Sequence, residues 1–324
     1  MKNVFKNLMI YGAVASMAFL YSCGGDEETP APATPTIAVA TTVNGTAATS
    51  PLNVVPGDEV VFNVSINAEG GFNVYRVFVS KDGGAATKLA EYTRLDLSVD
   101  AGVAVVTDSR ATEIEAEDVG STITFEFEVV DDKDQTSTTE VEVVVNDNPI
   151  STHTETLLGG QSNSSANSFY NSIENSTYAY TSFRDDNSAN TDFCFFYGNT
   201  NEYTIAAIDD ADANTAFSAA IDGTDDALGS SVIETRNETR FVTTSISPAE
   251  FDAIDGEYAL LDAFGDVTPS ATKQNKLIAE TVFAFELAES RGSLKGLAKV
   301  VSTGGTSGTD RSITILVKIQ EAAE

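Results

Sequence analysis

The chain has 324 residues, of which 49 are acidic and 18 basic, for a formal net charge of −31 at neutral pH. A surface so negative repels nucleic-acid phosphates, and no basic stripe offsets it, which excludes nucleic acid as a partner. With two cysteines and one histidine, a histidine-rich zinc site is impossible and a Ser-His-Asp triad would depend on His153 alone.

The first residues have the three parts of a secretory signal. Lys2 and Lys6 form a positive start, Leu8 to Leu20 an uncharged apolar run, and a short polar stop comes next. The run is too short to span a bilayer core as a helix, so residues 1–22 read as a removed leader. Leu20-Tyr21-Ser22-Cys23 resembles the lipobox of bacterial lipoproteins. That resemblance implies cleavage before Cys23, lipid on its sulfur and acylation of the new amino terminus, with two or more acyl chains making anchoring stable. Residues 23–35 are small, acidic and proline-rich and cannot bury enough apolar surface to order themselves, so they read as a tether. The acids at Asp26, Glu27 and Glu28, close behind the cysteine, resemble the export signal of Bacteroidota-type surface lipoproteins. The expected location is therefore the outer membrane, facing outward.

Residues 36–148 read as strand after strand. Val60, Phe62, Val64 and Ile66 alternate with polar neighbours, as do Ile123, Phe125, Phe127 and Val129, and then Val141, Val143 and Val145. A period of two marks half-buried antiparallel strands, and several at this spacing argue for a sandwich of immunoglobulin type. The segments Pro56–Ile66 and Ile123–Val145 resemble bacterial Ig-like, cadherin-like or PKD-type extracellular modules, which implies a spacer or adhesive unit and not catalysis. Pro149 cannot donate to a strand ladder, so residues 149–156 read as a linker.

Residues 157–324 form a second, mostly β domain, sandwich or jelly-roll-like, with one or two short helices; the chain as a whole is expected to be all-β. Its strand candidates are Phe193–Tyr197, Tyr203–Ile208, Arg240–Ile246, Thr281–Leu287, Leu297–Ser302 and Ser312–Ile319. Ser247-Pro248-Ala249-Glu250 is a capping box with proline at the first helical position, which predicts a helix start. Thr303–Thr309 reads as a hairpin loop. Cys194, inside Phe193–Tyr197, reads as a buried apolar thiol without a disulfide partner once Cys23 carries lipid.

Tyr170, Tyr178, Tyr180, Tyr197 and Tyr203 are five of the chain's ten tyrosines, interleaved with Gln161, Asn163, Asn167, Asn171 and Asn175. Aromatic faces stack on sugar rings and amides bond hydroxyls, so these five tyrosines and Asn171 are candidate glycan contacts. Tyrosines are equally at home on ordinary strands, and asparagines in the loops between them. No cofactor is implied. Acidic clusters at Asp131, Asp132 and Asp134, at Asp209, Asp210 and Asp212, and at Asp222, Asp225 and Asp226 have the oxygen ligands calcium takes. The spacing from Asp210 opens like an EF-hand loop, but Thr215 stands where the turn glycine belongs and Ile221 where the glutamate does. Lys273, Lys276, Arg291, Lys295 and Lys299 read as a solvated basic face. The expected function is a non-enzymatic, lipid-anchored binding protein that presents a glycan or other nutrient ligand site. The alternatives are an adhesive protein with an envelope partner and a glycoside hydrolase working with two carboxylates alone.

Overall fold

The computed structural model describes residues 31–220, 227–229, 233–265, 267–307 and 309–322. The expected leader, Cys23, the expected tether up to Pro30 and the cluster Asp222, Asp225 and Asp226 lie outside the described residues. The chain is mostly β and divides into two compact units, one ending at Asp147 and the other beginning at Asn148.

The first unit has strands β1 (Thr36–Val43), β2 (Thr46–Ala48), β3 (Leu52–Val54), β4 (Glu59–Asn67), β5 (Phe72–Lys81), β6 (Thr87–Thr93), β7 (Val105–Glu113), β8 (Thr122–Asp131) and β9 (Thr136–Val145). They make one sheet in the order β2-β1-β4-β7 and another in the order β3-β9-β8-β5-β6. All pairings are antiparallel except β3 with β9, which runs parallel from Leu52 opposite Val143. The alternation of the sequence sets the two faces. Val60, Phe62, Val64 and Ile66 of β4 and Phe125, Phe127 and Val129 of β8 point into one core, where the Phe62 ring lies 4.8 Å from Phe125 and 5.4 Å from Phe127.

The second unit contains β10 (Ile150–Thr152), β11 (Thr156–Gly159), β12 (Phe169–Asn171), β13 (Ser176–Tyr178), the helical segment α1 (Tyr180–Ser182), β14 (Phe193–Gly198), β15 (Glu202–Ala207), α2 (Ala211–Ala220), β16 (Arg240–Thr243), α3 (Pro248–Ala253), α4 (Glu257–Phe264), β17 (Lys273–Gln274), β18 (Val282–Glu286), β19 (Lys295–Gly304) and β20 (Ser312–Gln320). One sheet has the order β10-β20-β19-β18-β16, with β11 also on β20, and the other β13-β12-β14-β15-β17. Phe193, Phe195 and Ile205 meet Phe241, Phe283, Phe285, Ile313, Ile315 and Val317 in a core between these sheets. The opposite faces are apolar too. Phe169, Cys194 and Phe196 are covered by Phe183 and by Ala213 and Phe217 of α2. Val282, Ala284 and Leu297 are covered by Phe251 of α3 and by Leu260 and Phe264 of α4.

This double burial explains the unbroken run Phe193-Cys194-Phe195-Phe196: a strand covered on both faces has no polar side to alternate with. Helical cover on both outer faces is the part of this architecture that periodicity did not announce. The stretch read as a linker, residues 149–156, also differs. Ile150 to Thr152 pair with Gln320 to Lys318, and His153 donates its backbone N–H to Val317 O, so most of it is an edge of the sheet. Pro149 sits just before that ladder, where its missing N–H costs nothing.

Candidate ligand-binding surface

The candidate tyrosines divide between the two faces of the β14 sheet. Tyr170 is wholly buried between the sheets, where its ring lies 5.0 Å from Phe193 and its hydroxyl donates to Asn175 Oδ1 at 2.7 Å. Burial, with the Asp192 charge nearby, pushes its phenol pKa well above the ordinary tyrosine range. Asn171 is also buried. Its Oδ1 accepts the N–H groups of Ile173 and Glu174, closing the β12–β13 turn, and a further bond from Arg291. Tyr170 and Asn171 are thus interior groups that no glycan reaches.

Tyr178 ends β13, whereas Tyr180 opens α1, so the pair is not one alternating strand. Both are half-buried against the cluster under α2. Tyr180 donates to Ala227 O at 3.0 Å, and its ring faces Phe169 and Phe183, with Arg184 over it at 5.8 Å.

Tyr197 and Tyr203 are the two that come together at the surface. They are paired directly across the β14–β15 hairpin, with ring centroids 5.2 Å apart and planes at 76°. Tyr203 also stacks toward Phe195 below. Arg311, immediately before β20, brings its guanidinium to 4.2 Å from the Tyr197 ring and donates to the Tyr203 hydroxyl and to Gly305 O, each at 2.7 Å. The side-chain amide of Gln161 lies against Tyr197 from the other side, donating to its carbonyl and accepting its N–H. Arg311 makes no close ion pair among the described residues, although the Asp310 charge acts on it, and its Nε is buried without a hydrogen-bond acceptor. The cluster therefore offers two half-exposed rings, a cation and an amide at the tip of two hairpins. Arg311 was missed in the sequence because it comes after a glycine-rich loop remote from the tyrosines. The packing of the β20 sheet against the β14–β15 sheet, not spacing, brings it to them.

A polar network lies deeper in the same unit. Asp192, wholly buried, accepts from Ser172 N and Oγ at 2.7 Å each and from Arg291 Nε at 2.9 Å, while Arg291 also donates to Asn171. Arg291 is thus a largely buried ion-pair partner and not part of a solvated basic face. Lys273 and Lys299 also have assigned acids, Asp210 and Asp212 for the first and Asp252 for the second. His153 directs Nε2 to Ser172 O at 2.6 Å.

The acidic clusters are built for hydrogen bonding. Asp131 Oδ1 accepts the N–H groups of Lys133 and Gln135 and so closes the β8–β9 turn, and Asp132 pairs with Arg94. Asp209 pairs with Arg240. Asp210 Oδ1 accepts the N–H groups of Asp212 and Ala213, an N-cap for α2, and its Oδ2 accepts from Thr272 and Lys273. Among the described residues no three His, Cys, Asp or Glu side chains converge as a metal-ligand set. Cys194 is a buried free thiol whose pKa is pushed up by burial first and by the Asp210 charge second. Among the described residues no helix is long and apolar enough to cross a membrane.

No protein-family model matches the chain, and no curated protein matches it. Among solved structures it is similar to a DUF4466 family protein from Parabacteroides merdae, with 12% identity over 88% of this chain and 99% of that one and a TM-score of 0.34.

Proposed function

We propose that this chain is a lipid-anchored, non-enzymatic binding protein displayed on a bacterial outer membrane. In this reading the first unit is an Ig-like spacer and the second holds a glycan or a related nutrient ligand. The sequence Leu20-Tyr21-Ser22-Cys23, behind a charged start and an apolar run and ahead of an acidic tether, carries the reading. The ligand surface we assign is the Tyr197–Tyr203 pair with Arg311 and Gln161, since it joins exposed ring area to hydrogen-bond donors. Of the six residues the sequence offers as glycan contacts, only Tyr197 and Tyr203 are kept.

The test is a polysaccharide array probed with the mature chain carrying Cys23→Ser, then titration of any glycan retained. Tyr197→Ala is expected to weaken that glycan's binding at least fivefold, on the order of 1 kcal/mol for a lost stacking ring, while thermal unfolding stays within a few degrees. Unchanged affinity in a folded Tyr197→Ala variant would remove this surface from the proposal. A second reading, adhesion to an envelope protein, is favoured by the apolar side chains that α4 and the turn after it leave in solvent: Tyr258, Leu261 and Val267 are 42%, 36% and 48% exposed.

A further inference from the structure

The first unit contains a second place where a ligand fits. Its two sheets end on one side in β6 and β7, each paired to a neighbour along one edge only. Midway along this open side the gap is bridged. Asp108 of β7 accepts from the Tyr75 hydroxyl and from Arg110 Nε, and the Arg110 guanidinium lies 4.2 Å over the Tyr92 ring. Beyond that bridge, toward the end of β7, the sheets separate around a cleft of about 260 Å³. Its walls are mainly Val79, Leu89, Ile114, Ile123 and Phe125. Such a volume lies just below the range of about 300–1,000 Å³ usual for drug-sized ligands, so a short alkyl chain or a single ring fits and an inserted strand does not.

The mouth is lined by charged side chains. Lys81 reaches Asp118 Oδ1 at 3.0 Å and Glu117 O at 3.2 Å, which neutralises Asp118 and satisfies the lysine. Glu113 and Glu115 also line the opening, both exposed, and neither has a cationic partner among the described residues. Apolar walls under two uncompensated carboxylates match a molecule with an apolar body and a cationic head. We infer that this cleft binds small apolar amines, with the hydrocarbon among Leu89, Ile114 and Phe125 and the ammonium at Glu113 and Glu115. This inference is independent of the ligand surface assigned to the second unit.

The experiment is calorimetric titration of octylamine, octanol and octanoate into the mature chain carrying Cys23→Ser, at low salt. Octylamine should bind at least tenfold more tightly than octanoate. Glu113→Gln with Glu115→Gln should bring octylamine to within threefold of octanol. Ala85→Trp, which places a large ring at the exposed rim without changing net charge, should abolish binding in a chain that still unfolds cooperatively. Octanoate or octanol binding as tightly as octylamine would overturn the inference. So would no octylamine binding at millimolar concentration, or full binding to folded Ala85→Trp, which would mark the amine as merely condensed on an acidic surface.

Discussion

Single residues in the second unit show how much of its polarity is turned inward. Asp192 is fully buried and is held by Ser172 and Arg291 together. Arg291→Met should therefore leave a buried carboxylate without its cation and cost about 3–5 kcal/mol, read by chemical denaturation; a change below 1 kcal/mol would show that Ser172 suffices. Tyr75 and Tyr170 give a pH prediction. Burial is the main cause of the raised pKa of each, with an aspartate second: Asp108 for Tyr75 and Asp192 for Tyr170. The folded state thus holds these protons after an unfolded chain would release them at a pKa of about 10. Their contribution to stability is complete below that pH and is lost as pH climbs toward the raised folded values. Absorbance titration should show both phenols ionising only with alkaline unfolding; two early, reversible ionisations beyond those of the other tyrosines would contradict this. Neither Tyr170's burial nor Arg291's pairing was legible in the sequence, because residue type and spacing do not say which strand will cover a side chain.

At the scale of elements, legibility tracks periodicity. The strands β14, β15, β16, β18, β19 and β20 stand where apolar runs place them, and the capping box at Ser247 and Glu250 opens α3 with both reciprocal bonds formed. The helix α2 was hidden because its capping aspartate, Asp210, sits in a cluster that also suits calcium, and because its interior is mostly small residues that mark no face strongly. Tyr178 and Tyr180 do not share one strand face, because β13 stops at Tyr178 and a period of two does not extend to Tyr180. Close packing between neighbouring strands of one sheet gives the element-scale prediction. Gly296 of β19 lies directly opposite Phe285 of β18, and a Cβ there would run into the Phe285 ring. Gly296→Ala should destabilise the chain by about 1–3 kcal/mol, and Phe285→Leu in the same chain should recover part of the loss. Additive losses in a double-mutant cycle would count against the clash.

At the scale of the molecule, the chain divides between Asp147 and Asn148, and Asn148 is tied into the second unit. Its carbonyl accepts Glu257 N at the start of α4, and its side-chain amide donates to Glu257 Oε2 at 2.7 Å. A fragment of residues 31–147 keeps all nine strands of the first unit and its core, and should unfold in one cooperative transition with a β-type circular dichroism spectrum. A fragment that stays unfolded would contradict the division. The β character of both units was legible, from alternation in the first and from apolar runs in the second, whereas the assembly of Arg311 onto Tyr197 and Tyr203 required the packing of one sheet of the second unit on the other. The central claim is the lipid anchor, and metabolic labelling in a bacterial host with a clickable fatty acid tests it most directly. The native chain should take up label and remain with membranes, while Cys23→Ala should take up none and be released. Label on Cys23→Ala, or an unlabelled native chain, would contradict the account.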